Sequence, residues 1–394
     1  MHYRPLTEAD IERCLWLERY AFNSNPDPVL LAQGRITRFR GLFDGDHLVA
    51  QLELLPLRVQ TGHGELAVSG IGSVASAPET RRLGHAEMLL RHATDELRAN
   101  AVPLTILYPF KPSFYAQYGW ATFFERKVYC GAPGLFAHFK PKDAPPGHLQ
   151  RVGLAESEEL DAIYRGALRG RFGPLVRDAA WWENEVLQDW DHRPWHAYIW
   201  RDAQGVGRSY AIFRLEPDGD GRRFEAREMV ALDPVARAQL FTLVANHQDQ
   251  VTSVRFRAPA DAPVNLLFPD HLECTVQPHF MLRLLDLPAA IAGYAFPREV
   301  AGRLTIAVHD DWIAANRGVF ALEFAGGRAQ VTRLAADAPA DLRCDVRVLA
   351  QIYSRYLRPR TAAAFGMLTV AARDGLALAE RAFAGLAPFS SDYF

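Results

Sequence analysis

The sequence predicts a mixed α/β (α+β) fold divided into more than one domain. At 394 residues the chain exceeds most compact domains, and its 49% apolar and 23% charged residues are typical of globular proteins with sizeable cores. Strand-like and helix-like apolar patterns alternate along it. We therefore expect an α/β domain at residues 1–144, a second domain of similar element order at 145–284, and an α+β domain at 285–394.

Charge, hydropathy and cysteine spacing exclude several classes of protein. A formal net charge of −2 provides no general attraction to nucleic acid or to an anionic membrane. Without a stretch of about 20 apolar residues or a signal peptide, the chain is expected to be cytoplasmic. The four cysteines lack the spacing of metal ligands, which predicts reduced thiols and no metal: Cys14, Cys130, Cys274 and Cys344.

The first domain is expected to begin with a helix. Residues 7–10 (Thr-Glu-Ala-Asp) resemble a capping box, which predicts a helix through about Ala21. Residues 44–46 (Asp-Gly-Asp) predict a hairpin turn. The other elements expected here are strands at 47–55, towards Ala67 and Val68, at 71–75 and at 103–107, a short helix at 113–118, and a strand through Tyr129.

The segment between the strand at 71–75 and the helical pattern at 88–97 is suited to binding a pyrophosphate. A helix N-terminus presents unpaired backbone N–H groups and a partial positive charge. Gly84 and Ala86 are small enough for phosphate oxygens to approach the backbone, and two arginines add donors. The segment is neither a Walker loop nor a Rossmann fingerprint. The alternative is an ordinary strand-to-helix turn with surface arginines.

The second domain is predicted to be a duplicate of the first. Residues 154–160 echo residues 6–11, and both segments are expected to open a helix. A hairpin at 196–215 and a strand at 228–232 follow.

The duplicate is predicted to have lost phosphate binding. Its last strand ends at Asp233-Pro234, as the earlier strand ends before Pro78, and Arg237 is retained. Leu240 stands where Gly84 stands in the first copy, and its side chain would fill the space that a phosphate needs.

The third domain has strands first and helices afterwards, which predicts a small α+β layer structure beginning near Leu287. Its expected elements are strands at 302–308, 318–324 and 329–334, a loop at 335–339, and helices at 346–356 and 376–384.

Two motifs resemble the GNAT acetyltransferase superfamily. Residues 81–86 have the spacing Arg-Arg-x-Gly-x-Ala of its coenzyme A signature, and residues 114–120 match its Phe-Tyr-x-x-x-Gly-aromatic stretch. The resemblance implies that backbone amides around residues 74–76 bind the pantetheine arm and the thioester oxygen of acetyl-CoA. Ser76 is a mild departure, because an apolar residue is usual there. The residues implied for acetyl-CoA binding are Val74, Ser76, Arg81, Arg82, Gly84, His85 (mainly through its backbone) and Ala86.

The same resemblance implies that Tyr115 is the general acid. A phenol of pKa about 10 can protonate a departing thiolate whose thiol has a pKa near 8.5. Tyr118 is the other candidate, and both tyrosines can instead be core aromatics of a short helix.

The base is not defined by a motif in the first domain. Its available acids are expected on the surface or in loops: Asp27, Glu53, Glu65 and Glu79. The last residues, 388–394, are rich in aromatic side chains, which favours their burial, since free tails are usually small and polar. A buried α-carboxylate with a raised pKa could accept a proton.

Along its whole length the chain resembles the Eis acetyltransferases, which combine a GNAT domain, a degenerate GNAT-like domain and a sterol-carrier-protein-like domain. The match includes residues 285–290 (Leu-Asp-Leu-Pro-Ala-Ala) and the final Phe. It implies an N-acetyltransferase acting on primary amines (aminoglycoside-like, polyamine or lysine-type), with Tyr115 as acid and the carboxylate of Phe394 as base. It also implies a homo-oligomer, a trimer or a hexamer.

The chain departs from the mycobacterial Eis type at two places. Tyr393 replaces a Glu before the final Phe, and residues 110–113 (Phe-Lys-Pro-Ser) replace a Ser-Glu-Gly-Gly stretch. The first change removes a carboxylate from the expected amine pocket and the second adds a cation, so both weaken an assignment to aminoglycosides. Asp27 or Asp392 could restore the charge, although we expect both to be exposed. Residues 22–35 are expected to form one wall of the acceptor cleft.

Two other functions remain as alternatives. The chain could be a lipid- or sterol-binding protein working through its third domain. It could also be a tandem-GNAT aminoacyl transferase that uses charged tRNA, although nothing in it is strongly basic. The tryptophans at 181, 182, 190, 195 and 200 are expected to pack the second domain or a subunit interface rather than line a ligand surface.

Overall fold

A computed structural model describes residues 1–23, 31, 34–140, 145–188 and 193–394. Asp27, Trp190 and most of the expected cleft wall at 22–35 lie outside the described residues. The strands are β1 His2–Pro5, β2 Phe39–Asp44, β3 His47–Thr61, β4 Glu65–Ser76, β5 Leu104–Leu107, β6 Ala121–Thr122, β7 Glu125–Gly131, β8 Gly147–Val152, β9 Phe172–Leu175, β10 His196–Asp202, β11 Gly207–Asp218, β12 Gly221–Ala231, β13 Ser253–Pro259, β14 Glu273–Pro278, β15 Met281–Leu284, β16 Gly302–His309, β17 Gly318–Ala325, β18 Arg328–Arg333, β19 Leu342–Asp345 and β20 Leu368–Val370. The helices are α1 Ile11–Phe22, α2 His85–Ala99, α3 Pro112–Ala116, α4 Ser157–Ala167, α5 Ala179–Trp181, α6 Pro234–Ala245, α7 Leu287–Gly293, α8 Val346–Tyr353, α9 Pro359–Ala364 and α10 Arg373–Ala382.

The chain forms two compact units, each assembled from separate segments. The first contains residues 1–123, 279–385 and 394, and the second contains 124–278 and 386–393. These limits differ from the expected domain ends at 144 and 284 because of two strands. In the second unit, β7 pairs with β13 and β14, and in the first, β15 pairs with β5 and β6. Short sequence patterns do not predict the pairing of strands that lie far apart in the chain.

The first unit contains a sheet of order β1-β2-β3-β4-β5-β15-β6. The capping box at its start is confirmed, since Asp10 accepts a 2.9 Å hydrogen bond from the backbone N–H of Thr7 and α1 follows. The helix predicted around 88–97 is confirmed as α2, whose apolar face packs into the core of this unit. The strand predicted at 47–55 continues to Thr61, because apolar residues at 55, 57 and 59 extend its pattern.

The third predicted domain lies in the first unit as a sheet of order β18-β17-β16-β19-β20 with α7 to α10. The buried pair of Arg283 and Asp310, with nitrogen and oxygen 2.7 Å apart, links β15 to the loop after β16. The interior of this domain is filled by interlocking rings: Tyr294, Phe296, Phe324, Tyr353 and Phe383. Strands β19 and β20 were not predicted, since each is very short.

The second unit is built on a sheet of order β14-β7-β13-β12-β11-β10-β8. The helix predicted after residues 154–160 is confirmed as α4, and the hairpin at 196–215 as β10 and β11. Trp182 and Trp200 are buried in this unit, as expected for packing residues. Throughout the described parts of the chain, no helix is both long and apolar enough to cross a bilayer.

Our reason for the missing phosphate loop in the second copy was wrong. Leu240 lies in the middle of α6 and is buried in the core, so it does not occupy a phosphate site. Instead α6 begins directly at Pro234, without the loop that precedes α2. The side chain of Asp233 caps α6, accepting a 2.8 Å hydrogen bond from the backbone N–H of Ala236. A carboxylate at this helix start repels an anion.

The end of the chain packs into the second unit up to Tyr393. Phe389 lies in a core of that unit, and Asp392 is fully buried. The carboxylate of Asp392 accepts hydrogen bonds from Nε of Arg177 and Nε1 of Trp181, both at 2.9 Å. Our expectation that Asp392 is an exposed tail acid was therefore wrong, because Arg177 compensates its charge.

Candidate active site

The first sheet opens where the thioester was expected. Strands β4 and β5 run parallel, and their pairing ends at Ile71 and Leu107. Strand β4 continues to Ser76, so its last residues have no partner on β5. The register of β4 against β3 also shifts here, and Ser73 adopts a positive φ of 52°. The bulge takes Ser73 and Val74 out of register with β3, whereas Ser76 pairs with Ala50. The edge of β4 that faces β5 is unpaired beyond Ile71 and is available to an extended ligand.

The predicted coenzyme loop lies between β4 and α2. Arg81, Arg82 and Gly84 are exposed, and Gly84 is the N-cap residue of α2 with a φ of 81°. A Cβ placed on Gly84 would meet no heavy atom within 4 Å. Among the described residues, no side chain caps α2. The open space and the uncapped amides fit a pyrophosphate.

His85 and Ala86 occupy the first turn of α2. The His85 side chain is 7% exposed, and its Nδ1 has no hydrogen-bond partner among the described residues. The side chain therefore faces the protein, and contact between the His85 backbone and the ligand stays a prediction.

Tyr115 lies on α3 within a cluster of aromatic side chains. Its ring contacts those of Phe110, Phe114 and Trp120 at centroid distances of 5.5, 5.0 and 6.3 Å. Burial raises the pKa of the Tyr115 phenol, so the hydroxyl keeps its proton throughout the neutral range. Tyr118 packs instead on Trp312, with ring centroids 4.5 Å apart.

Phe394 lies against the opened end of β4. A Cβ on Gly70 would lie 2.7 Å from the ring of Phe394, so only glycine fits there. A Cβ on Gly72 would lie 4.0 Å from the terminal carboxyl carbon. The ring also stacks on Phe280 with a centroid distance of 4.8 Å. The carboxyl carbon of Phe394 is thus close to the residue preceding the bulge at Ser73.

Glu18 is a buried carboxyl that the sequence analysis did not identify. It accepts a 2.9 Å hydrogen bond from Nε2 of Gln51, and its other oxygen lies 3.2 Å from Oγ of the bulge residue Ser73. It is 8% exposed, and burial raises the pKa of its carboxyl to about 7. A glutamate on the apolar face of α1, four residues after Cys14, was the available signal.

We expect Glu18 to make stability fall as pH rises. Between about pH 4.5 and 7 the folded chain retains this proton while the unfolded chain releases it. Glu18→Gln should leave the free energy of unfolding unchanged at pH 4 and raise it at pH 8 by up to about 3 kcal/mol. Urea unfolding at both pH values measures this.

Glu12→Gln, an exposed position on the same helix, is the matched control for Glu18→Gln and should change stability little at either pH. The same pH dependence in both variants and the native chain would contradict the assignment of the raised pKa to Glu18.

Three of the four acids considered as bases lie within the described residues, and their surroundings differ. Our expectation that Glu53 lies on the surface or in a loop was wrong. It is 1% exposed on β3 and forms an ion pair with Arg35 at 2.9 Å. Glu79 is exposed in the loop after β4, and Glu65 pairs with Arg58 at the start of β4. The described carboxyls near the bulge are Glu18, the chain end at Phe394 and Glu53, which lies opposite Gly72 and is paired with Arg35.

Sequence profiles of three domains match the chain. An acetyltransferase (GNAT) domain matches residues 2–123, a second acetyltransferase (GNAT) domain matches 173–284, and a sterol carrier protein domain matches 287–391. Together they define a tandem GNAT acetyltransferase with a C-terminal sterol carrier protein domain.

Known proteins are similar to the chain over most or all of its length. An uncharacterised N-acetyltransferase of Streptomyces coelicolor is 25% identical over 343 residues, which are 82% of this chain and 79% of that protein. The GCN5-related N-acetyltransferase of Anabaena variabilis is 25% identical with a TM-score of 0.89, and both chains are fully covered. Eis1 of Mycobacterium abscessus shares the fold over both full lengths, with a TM-score of 0.79 at 18% identity. The chain thus contains two GNAT acetyltransferase domains and a sterol carrier protein domain, and its fold is that of Eis1.

Proposed function

We propose that the protein transfers the acetyl group of acetyl-CoA directly to a primary amine. The placement of the chain end beside the opened end of β4 carries this proposal, because it supplies a carboxylate where an attacking ammonium must lose a proton. The amides of Val74 to Ser76 hydrogen-bond the pantetheine arm and the developing oxyanion. Tyr115 protonates the departing thiolate, and the carboxylate of Phe394 accepts the proton of the amine.

The coenzyme is held by the loop before α2. Arg81, Arg82 and the first-turn amides after Gly84 bind the pyrophosphate, while β4 binds the pantetheine arm. We expect Arg81→Glu to weaken acetyl-CoA binding by about tenfold or more, since it replaces a charge-assisted hydrogen bond with repulsion. Isothermal titration with acetyl-CoA measures the change.

Arg343→Glu is the matched control for Arg81→Glu, because Arg343 is exposed on β19 and lies outside the loop. It should bind acetyl-CoA like the native chain. Equal affinities for the native chain and Arg81→Glu would contradict the assignment of this loop.

The acceptor is proposed to be a primary amine of the aminoglycoside, polyamine or lysine type. Neither Tyr393 nor Lys111 supplies negative charge, so polycationic aminoglycosides are the least favoured of the three. A turnover screen with acetyl-CoA over one compound of each class decides between them, and no acetylation of any amine would contradict the proposal.

A lipid-carrying function is less well supported. A lipid carrier needs an open apolar tunnel, whereas aromatic rings with centroids about 5 Å apart occupy the interior of the third domain.

By resemblance we propose a cytoplasmic homo-oligomer, a trimer or a hexamer. Light scattering after gel filtration tests the stoichiometry, and a monomer would contradict it.

A further inference from the structure

The second unit contains a cavity of about 310 Å³ that is rich in arginine. Trp195 and Tyr393 are among its lining residues, and Glu185 is the one acidic residue in the described lining. The arginines that line it are Arg126 on β7, Arg193, Arg214 on β11, Arg227 on β12 and Arg257 on β13.

The cavity corresponds in the second sheet to the opened end of β4 in the first. The parallel pairing of β12 with β13 ends at Glu225 and Arg255, and both strands continue beyond it. The register of β12 against β11 shifts between Ala226 and Glu228, so Arg227 is the bulged residue. Arg227 thus holds the position that Ser73 holds in β4. The duplicate keeps the diverging strands and lines them with guanidinium groups.

Two buried donors at this cavity lack acceptors in the described structure. Arg227 donates through Nη2 to the backbone carbonyl of Glu185, but its Nε is buried without a hydrogen-bond partner. Burial lowers the pKa of the Arg227 guanidinium. The guanidinium carbon of Arg214 lies 3.8 Å from the ring centroid of Trp195. The Nε1 of Trp195 is also buried without a hydrogen-bond partner among the described residues. Unsatisfied buried donors are costly, so a bound acceptor that reached either donor would be stabilising.

Acidic neighbours pair with some of the arginines that line the cavity. Arg257 pairs with Glu225 at 2.7 Å, and Arg214 pairs with Glu216 at 2.8 Å. Glu225 is shared with Arg223, whose Nε lies 3.0 Å from it. The described lining itself contains five arginines and one glutamate, so positive side chains predominate in it.

We propose that this cavity binds the phosphate group of a small molecule. Guanidinium forks match phosphate oxygens bidentately, and arginine keeps its charge when partly buried. The volume is that of a small-molecule site, and the rings of Trp195 and Tyr393 provide surface for the rest of the ligand. The site is independent of the acetyl-transfer proposal.

Isothermal titration of inorganic phosphate at constant ionic strength tests the site. The full chain carries Arg81→Glu in every arm, which weakens the coenzyme loop of the first unit as a competing phosphate site. We expect saturable binding of one phosphate per chain. Adding Arg227→Gln should raise the Kd about tenfold or more, because a charged donor is lost. Arg222→Gln, at an exposed position on the same strand, is the control and should leave the Kd unchanged.

The outcomes separate the alternatives. The absence of saturable phosphate binding, or equal Kd values for the Arg227 and Arg222 variants, would overturn the site. Citrate binding as tightly as phosphate would mean a carboxylate site and would overturn the choice of phosphate. Arg257→Gln replaces Arg227→Gln if circular dichroism shows that the latter is unfolded. Acetyl-CoA turnover is not the readout, so failure here leaves the acetyl-transfer proposal standing.

Discussion

Tyr115→Phe is expected to lower kcat by about 100-fold or more, with little change in affinity for acetyl-CoA. General acid catalysis by one positioned side chain contributes about 10²–10⁴-fold. Phenylalanine keeps the ring contacts with Phe110, Phe114 and Trp120, so the loss reports the hydroxyl rather than packing. Steady-state kinetics with the best acceptor from the amine screen, together with titration of acetyl-CoA, measure both quantities.

Tyr118→Phe is the matched control for Tyr115→Phe, because it removes the hydroxyl of the other candidate on the same stretch. Its kcat should stay close to that of the native enzyme. A large loss in the Tyr118 variant with near-native activity in the Tyr115 variant would reverse the assignment of the acid.

Asp392→Asn is expected to lower the free energy of unfolding by about 3 kcal/mol, the cost of breaking a buried ion pair by neutralising one partner. The side chains of Arg177 and Asp392 are 0% and 1% exposed. Glu228 still pairs with Arg177, which keeps the expected loss at the low end of the range. Urea unfolding of the full chain measures the change.

Asp337→Asn, in an exposed loop, is the control for Asp392→Asn and should change stability by less than about 0.5 kcal/mol. Equal stability of the two variants would show that the Asp392 ion pair does not hold the tail. Since Phe394 follows Asp392 by two residues, we also expect the Asp392 variant to lose activity.

The local features of the site could be predicted from the sequence. The capping box at Thr7, the strand before Ser76 and the helix after Gly84 each depend on residues adjacent in the chain. A glycine and two arginines at fixed spacing predict a phosphate-binding loop, because the proposed chemistry is carried by the loop's own backbone and side chains.

The features that depend on distant segments could not be predicted. Phe280 forms a stacking surface for Phe394 although more than a hundred residues separate them. The burial of Asp392 depends on its hydrogen bond with Arg177. The sequence of the last residues does not predict this partner. Glu18 was missed for another reason: its helix pattern places it on the buried face, but only the structure brings the bulge at Ser73 against it.

The central claim is that the α-carboxylate of Phe394 accepts the proton of the acceptor amine. The most direct measurement compares kcat of the native chain with that of a semisynthetic chain whose terminal carboxylate is a carboxamide. The amide preserves the shape of the group and removes its charge. We predict a fall in kcat of about 100-fold or more, with unchanged acetyl-CoA affinity and thermal stability. Full activity of the amidated chain would contradict the claim and would direct attention to Glu18.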